Sequence, residues 1–192
     1  MTQRELLDFL SVAAKLKVNT RHCCTAPGRM ESVADHCWRT ALMAVLLENE
    51  FKDVDIFKVV KMCLVHDLGE ALTGDIPTFE KTDEDRCAEK KKLFSMLGML
   101  PAAEKGEMTE LFKEMEELKT DEARLYKALD CMEAVISHNE SELSTWIPLE
   151  RTLNLTYGEK YVEWNDWLKE LKKECNDDTI KKLAQKPDDG AG

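Results

Sequence analysis

"HDLGEALTGD", residues 66–75, sets one histidine, three acidic residues and two glycines directly after the apolar run "IFKVVKMCLV" of residues 56–65. Ionisable side chains at the end of a buried helix are costly unless they are paired, hydrated or bound to an ion. On a continuous helix His66 and Glu70 are four apart and share a face, while Asp67 lies about 100° round from His66. Both members of the His-Asp pair can then reach one point between helices, and an ion there would draw its other ligands from elsewhere in the chain.

Candidates for those ligands are few, because the chain has four histidines, at 22, 36, 66 and 138. His36 follows Asp35 in a segment whose stripe Val33, Trp38, Ala41 and Ala44 is expected to look inward. Asp130, in "YKALDCMEAVI", is a carboxylate within an otherwise apolar face, and a buried lone Asp is rarely tolerated without a partner. Two imidazoles and two carboxylates from three helices make a mixed nitrogen and oxygen site with room for water. Such a set suits Mn, Fe, Co, Ni or Zn, and tolerably Mg.

The rest of the chain reads as helical. Apolar/polar alternation and internal repeats are absent, so the period to follow is 3.6. Thr2 and Glu5 form a capping box before a helix over 3–17 with the stripe Leu6, Leu10, Ala13 and Ala14. A polar loop is expected over 18–31, then a second box, Ser32 and Asp35, opens a helix over 33–50. Asp55 caps a third helix that delivers His66 and Asp67 at its last turn. Gly74 and Pro77 mark an irregular loop. Thr82 with Asp85, then "EMTELFKEMEEL", then Thr120 begin further helices, the last running to His138, and a final helix places Tyr161, Trp164, Leu168 and Leu171 on one face. The expected architecture is all-α, seven or eight helices in one domain over 1–178, with a disordered tail over 179–192.

Composition narrows the function classes. A net charge of −11 disfavours nucleic acid as a partner, since phosphate backbones need clustered Lys and Arg. No apolar run nears the roughly 18 residues of a membrane span, and the start "MTQRELLDFL" lacks a signal-peptide pattern, so the chain reads as cytoplasmic. Seven cysteines without a CxxC pair fit buried, reduced thiols.

Together "ESVADHCWR" around His36, "VHDLGEALTGDIPTFEK" over 65–81 and the later Asp130 resemble the HD-domain metal-dependent phosphohydrolase superfamily, nearest its 5′-deoxynucleotidase branch. The resemblance implies a homodimeric helical enzyme that releases phosphate from deoxynucleoside 5′-monophosphates. It further implies His36, His66, Asp67 and Asp130 as ligands of one divalent metal ion, Glu70 and Asp75 as the acid and base carboxylates, and Arg21 as the phosphate clamp. His22 stands where the nucleotidase pattern has a tryptophan beside the sugar, which leaves sugar preference open. Lys81 is a further phosphate candidate, and Arg39 is expected to pair structurally with a site carboxylate. His138 is expected as a surface residue at a helix end. Binuclear members of the superfamily carry extra histidines between the dyad and the last aspartate, and this chain has none over 67–137, which points to a single ion. Two rival readings are a superfamily hydrolase acting on another phosphoester and a catalytically silent module pinned by its metal.

Overall fold

In the computed structural model, residues 1–185 are described. Helix α1 (Gln3–Ala13) leads through a short 3₁₀ turn to an antiparallel ribbon, β1 (Thr20–Ala26) and β2 (Arg29–Ser32). Then come α2 (Val33–Leu46), α3 (Ile56–Val65), the single turn α4 (Glu70–Thr73), α5 (Asp83–Leu97), α6 (Ala102–Glu117) and α7 (Asp121–Glu140). The chain closes with α8 (Glu150–Thr156), the single turn α9 (Glu159–Val162) and α10 (Asp166–Ala184). Among the described residues, no helix is long and apolar enough to cross a membrane.

Local chemistry sets most helix starts. Thr2–Glu5, Ser32–Asp35 and Thr82–Asp85 all form complete capping boxes, and the side chains of Asp55 and Thr120 cap α3 and α7. Central to the core is α7, which packs against α2, α3, α6, α10 and the ribbon. Its Leu125, Leu129, Met132 and Val135 are fully buried, beside Val33 and Ala44 of α2, Val59 and Met62 of α3 and Leu168 of α10. The same helix buries Asp130, Glu133 and Ser137, spaced so that they form one polar seam through the core.

Several expectations give way. The stretch 18–31 is a ribbon, not a loop: Pro27 and Gly28, whose φ is +75°, turn β1 into β2, as a type II turn requires. Its exposure does not alternate and its pairing is irregular, so no period of two marks it in the sequence. Helix α2 stops at Leu46, and Trp38 points out, 61% exposed, so the inward stripe is Val33, His36, Cys37, Thr40, Ala41 and Ala44. On α1, Leu6 and Leu10 are also exposed, and Phe9, Val12 and Ala13 face the core. Asn165 starts a new helix, dividing the expected final one between α9 and α10. That helix continues to Ala184, six residues into the expected 179–192 tail; residues 186–192 lie outside the described part.

One glycine seats the last third of the chain against the site. Gly158 has φ +77°, and a Cβ there would lie 2.6 Å from Cys131 Cβ, so only glycine lets α9 begin this close to α7 beside Asp130.

Candidate metal centre and adjoining cavity

Helices α2, α3 and α7 deliver His36, His66 with Asp67, and Asp130 to one point. His36 Nε2 lies 3.1 Å from His66 Nε2 and 3.1 Å from Asp130 Oδ1. His66 Nε2 lies 3.2 Å from Asp67 Oδ2 and 3.6 Å from Asp130 Oδ1, and His36 Nε2 is 4.0 Å from Asp67 Oδ2. With bonds of about 2.1 Å, octahedral ligands sit about 3.0 Å apart when adjacent and about 4.2 Å apart when opposite. The observed spread fits ligand atoms gathered around one cation.

Proton accounting supports the same occupant. His66 Nδ1 is 2.9 Å from the carbonyl oxygen of Cys63, which can only accept, and His36 Nδ1 bonds the buried carboxylate of Glu133. Each ring donates from Nδ1, so each neutral ring turns an Nε2 lone pair toward the other. Two lone pairs at this separation, beside two carboxylates, are repulsive unless a proton sits on one Nε2 or a metal ion lies between them. Burial lowers the basicity of both imidazoles, but the neighbouring carboxylates reverse this and raise both, His66 strongly. Burial opposes charge on Asp67 and Asp130 as well. The histidines outweigh it at Asp67, and Lys127 with the histidines outweighs it at Asp130, so both stay below the usual carboxylate range.

Around this point runs a bonded shell that the sequence reading missed in part. Glu133, which holds His36, also accepts from Arg39 Nε at 2.7 Å and from Ser137 Oγ at 2.9 Å. Arg39 is thus structural, as expected. Arg21 Nε is 3.2 Å from Glu31 Oε2 and its Nη1 is 3.7 Å from Asp67 Oδ2. Lys127 Nζ bonds Asp130 Oδ2 at 2.6 Å, leaving Oδ1 turned to the histidines. Glu133 was detectable: it lies one turn after Asp130 in the same apolar stretch. Glu31 carries no comparable mark, because it meets Arg21 only across the ribbon and Ser137 only across 106 residues of sequence.

Beside the site opens a cavity of about 770 Å³, whose lining includes Arg21, Asp67, Glu70, Asp75, Lys81, Lys127 and Asp130, and farther along His22, Phe79, His138, Glu150 and Tyr157. The structure therefore brings all nine expected site residues to one region: seven line the cavity, and His66 and the fully buried His36 lie behind its wall. Glu70 does not stand on His66's face. Between His66 and Leu72 the backbone bonds are of the i→i+3 kind, including Glu70 N to Asp67 O at 2.9 Å, and this tighter winding puts Glu70 above Asp67. Glu70 Oε2 is buried and has no hydrogen-bond partner among the described residues. Burial, then the charges of Asp67 and Asp75, lift its carboxyl to about 9, and burial raises Asp75 too.

Lys81 Nζ sits 3.5 Å from Glu70 Oε1 and bonds Glu89, so its charge is already paired within the protein. His22 Nδ1 contacts Glu150 Oε1 at 2.7 Å. His138 is not a free surface residue: it is half-buried, lines the cavity and shares the same Glu150 oxygen at 3.0 Å.

Comparison with known proteins now fixes the family. The HD domain profile matches residues 13–172. The chain belongs to the HD-domain family. It is 35% identical over 149 residues to 5′-deoxynucleotidase HDDC2 of Dictyostelium discoideum, covering 71% of this chain and 77% of that one. It is 32% identical over 143 residues to 5′-deoxynucleotidase HDDC2 of Homo sapiens, covering 72% and 69%. A crystal structure from Magnetospirillum magnetotacticum, described as a predicted metal-dependent phosphohydrolase, superposes with a TM-score of 0.79 at 28% identity, over 96% of this chain and 98% of that one.

The Glu70 carboxyl makes a checkable contribution to stability. Its folded-state value of about 9 stands above the ordinary 4.5, so folding is favoured below the ordinary value and loses support as pH rises toward 9. In chelator-treated protein, Glu70→Gln is expected to stabilise the fold at pH 8 by on the order of a few kcal/mol, seen as a higher Tm, and to change it little at pH 5. Denaturation monitored by circular dichroism at both pH values checks this; an equal effect at the two would contradict it.

Proposed function

We propose that this HD-domain protein is a metal-dependent phosphohydrolase that releases phosphate from nucleoside 5′-monophosphates. The observation that carries the reading is the pair of Nε2 atoms facing each other across 3.1 Å, with Asp67 and Asp130 beside them at the wall of a substrate-sized cavity. His36, His66, Asp67 and Asp130 would hold one divalent ion. When bound, such an ion polarises a phosphoryl oxygen and acidifies water.

The chain's own residues supply the rest. Arg21, held from one side by Glu31, turns a guanidinium to the cavity, where its planar fork matches a phosphate. Glu70 and Asp75 are two carboxyls pushed upward within one cavity, which suits them to exchange protons near neutral pH. One takes the proton of the attacking water and the other gives a proton to the departing 5′-oxygen. Lys81 keeps Glu70 in place through its 3.5 Å contact. The wide, partly apolar outer cavity, with Phe79 and Tyr157, has room for a nucleoside. The named relatives, 5′-deoxynucleotidases, support a monophosphate as the substrate class.

A homodimer belongs to the same proposal. Trp38, Leu42, Val45 and Leu46 lie on the outer side of α2, with Phe57 and Leu64 exposed on the adjacent α3. A second copy of this chain is the occupant proposed for that surface, whose apolar side chains on paired helices match the makeup of homodimer cores.

Two experiments test these readings. Across a panel of monophosphates, triphosphates and sugar phosphates with Mn²⁺, Co²⁺ or Mg²⁺, nucleoside monophosphates are expected to yield inorganic phosphate. Glu70→Ala should lower kcat about 100-fold while the ion stays bound. Pyrophosphate as product, or full turnover in the variant, would sink the assignment. In sedimentation velocity the native chain is expected as a dimer and Trp38→Glu as a monomer; a monomeric native chain would refute that interface.

A further inference from the structure

A second cluster of metal-ligating side chains stands on the other wall of the cavity. His22 of β1, His138 near the end of α7 and Glu150 at the start of α8 bring three ligand atoms within 4.8 Å of one another. His22 Nδ1 is 2.7 Å and His138 Nε2 3.0 Å from the same carboxylate oxygen, Glu150 Oε1. None of the three belongs to the His36–His66–Asp67–Asp130 set, and all line the cavity.

Proton accounting again shows that something positive is called for. His138 Nδ1 lies 2.9 Å from the carbonyl oxygen of Ala134, so that nitrogen carries a proton and a neutral ring turns its Nε2 lone pair toward Glu150. The other Glu150 oxygen is held by the Ile147 N–H at 2.8 Å, which aims Oε1 at the two rings. An imidazole lone pair 3.0 Å from a carboxylate oxygen is repulsive unless a proton or a metal ion lies between them. The carbonyl on the far ring nitrogen is the outer support that metal-binding histidines use. Glu150 is buried, and among the described residues it has no lysine or arginine partner to neutralise it.

We propose that His22, His138 and Glu150 form a second site for a divalent transition-metal ion. Two imidazoles and one carboxylate favour a borderline ion such as Zn²⁺ or Co²⁺ over Mg²⁺ or Ca²⁺. Three protein ligands leave coordination positions open, unlike the closed four-ligand set of a structural zinc. Those positions are available to an oxygen atom of whatever occupies the outer cavity. The histidines lie before the dyad and after the last aspartate, so the absence of histidine over 67–137 does not bear on this site. It stands independently of the reaction assigned to the first.

The test is metal stoichiometry of the full chain, stripped with chelator, dialysed against Co²⁺ or Zn²⁺ alone and measured by mass spectrometry, with the Co²⁺ absorption spectrum as a second readout. Two ions per chain are expected in the native protein and one in His138→Gln and in His22→Gln. His22 is half-exposed, so its replacement is expected to leave folding intact, which circular dichroism verifies. One ion in the native protein, lost in Asp130→Asn and kept in His138→Gln, would overturn this second site and leave the proposed function standing. Two ions retained in both histidine variants would overturn it as well, and a cluster that takes up only a proton would appear as the first of these results.

Discussion

Two imidazole lone pairs forced toward each other inside a protein are unfavourable by themselves, and much of this fold serves to hold them there. Each ring is fixed from behind by an acceptor, Glu133 for His36 and the Cys63 carbonyl for His66, so neither can turn away. Asp67 and Asp130 close in from the sides. The resulting knot of electron pairs and negative charge is stable only around a positive centre, and the cavity beside it gives that centre something to act on.

The architecture follows from this constraint. A capping box at Ser32 and a side-chain cap at Asp55 fix where α2 and α3 begin, and hence where His36 and His66 fall on their inner faces. Helix α7 carries the third wall. Its fully buried leucines and methionine lock it between α2, α3 and α10, which fixes the depth of the Asp130, Glu133 and Ser137 seam. The negative charge is balanced locally: Lys127 on Asp130, Arg39 on Glu133 and Arg21 between Glu31 and Asp67. Three basic side chains can therefore sit at the heart of a chain whose net charge is −11.

How much of this was legible in the sequence depends on whether the signal was local. Caps are local, and all five expected ones are present. The four converging side chains were legible because an isolated acid or histidine in an apolar helix has few explanations, and the family motif narrowed them. Glu31 and the Glu150 cluster were not, because Glu31 meets Ser137 and Glu150 meets His22 across sequence separations of 106 and 128 residues. The ribbon at 20–32 escaped because irregular pairing removes the period of two. The misplaced Glu70 has a single cause. Tightening of the backbone after His66 changes the angle per residue, which composition does not reveal. Trp38 and Leu6 were misread as core for another reason: helical periodicity identifies an apolar face without saying whether the same chain or another covers it.

The central claim is that His36, His66, Asp67 and Asp130 share one cation. Crystals grown with Co²⁺ and measured on both sides of its absorption edge test it most directly. An anomalous peak within about 2.0–2.3 Å of both Nε2 atoms and of a carboxylate oxygen from each aspartate is the result expected. Density showing the two imidazoles hydrogen-bonded directly to each other, with no scatterer between them at saturating Co²⁺, would contradict it.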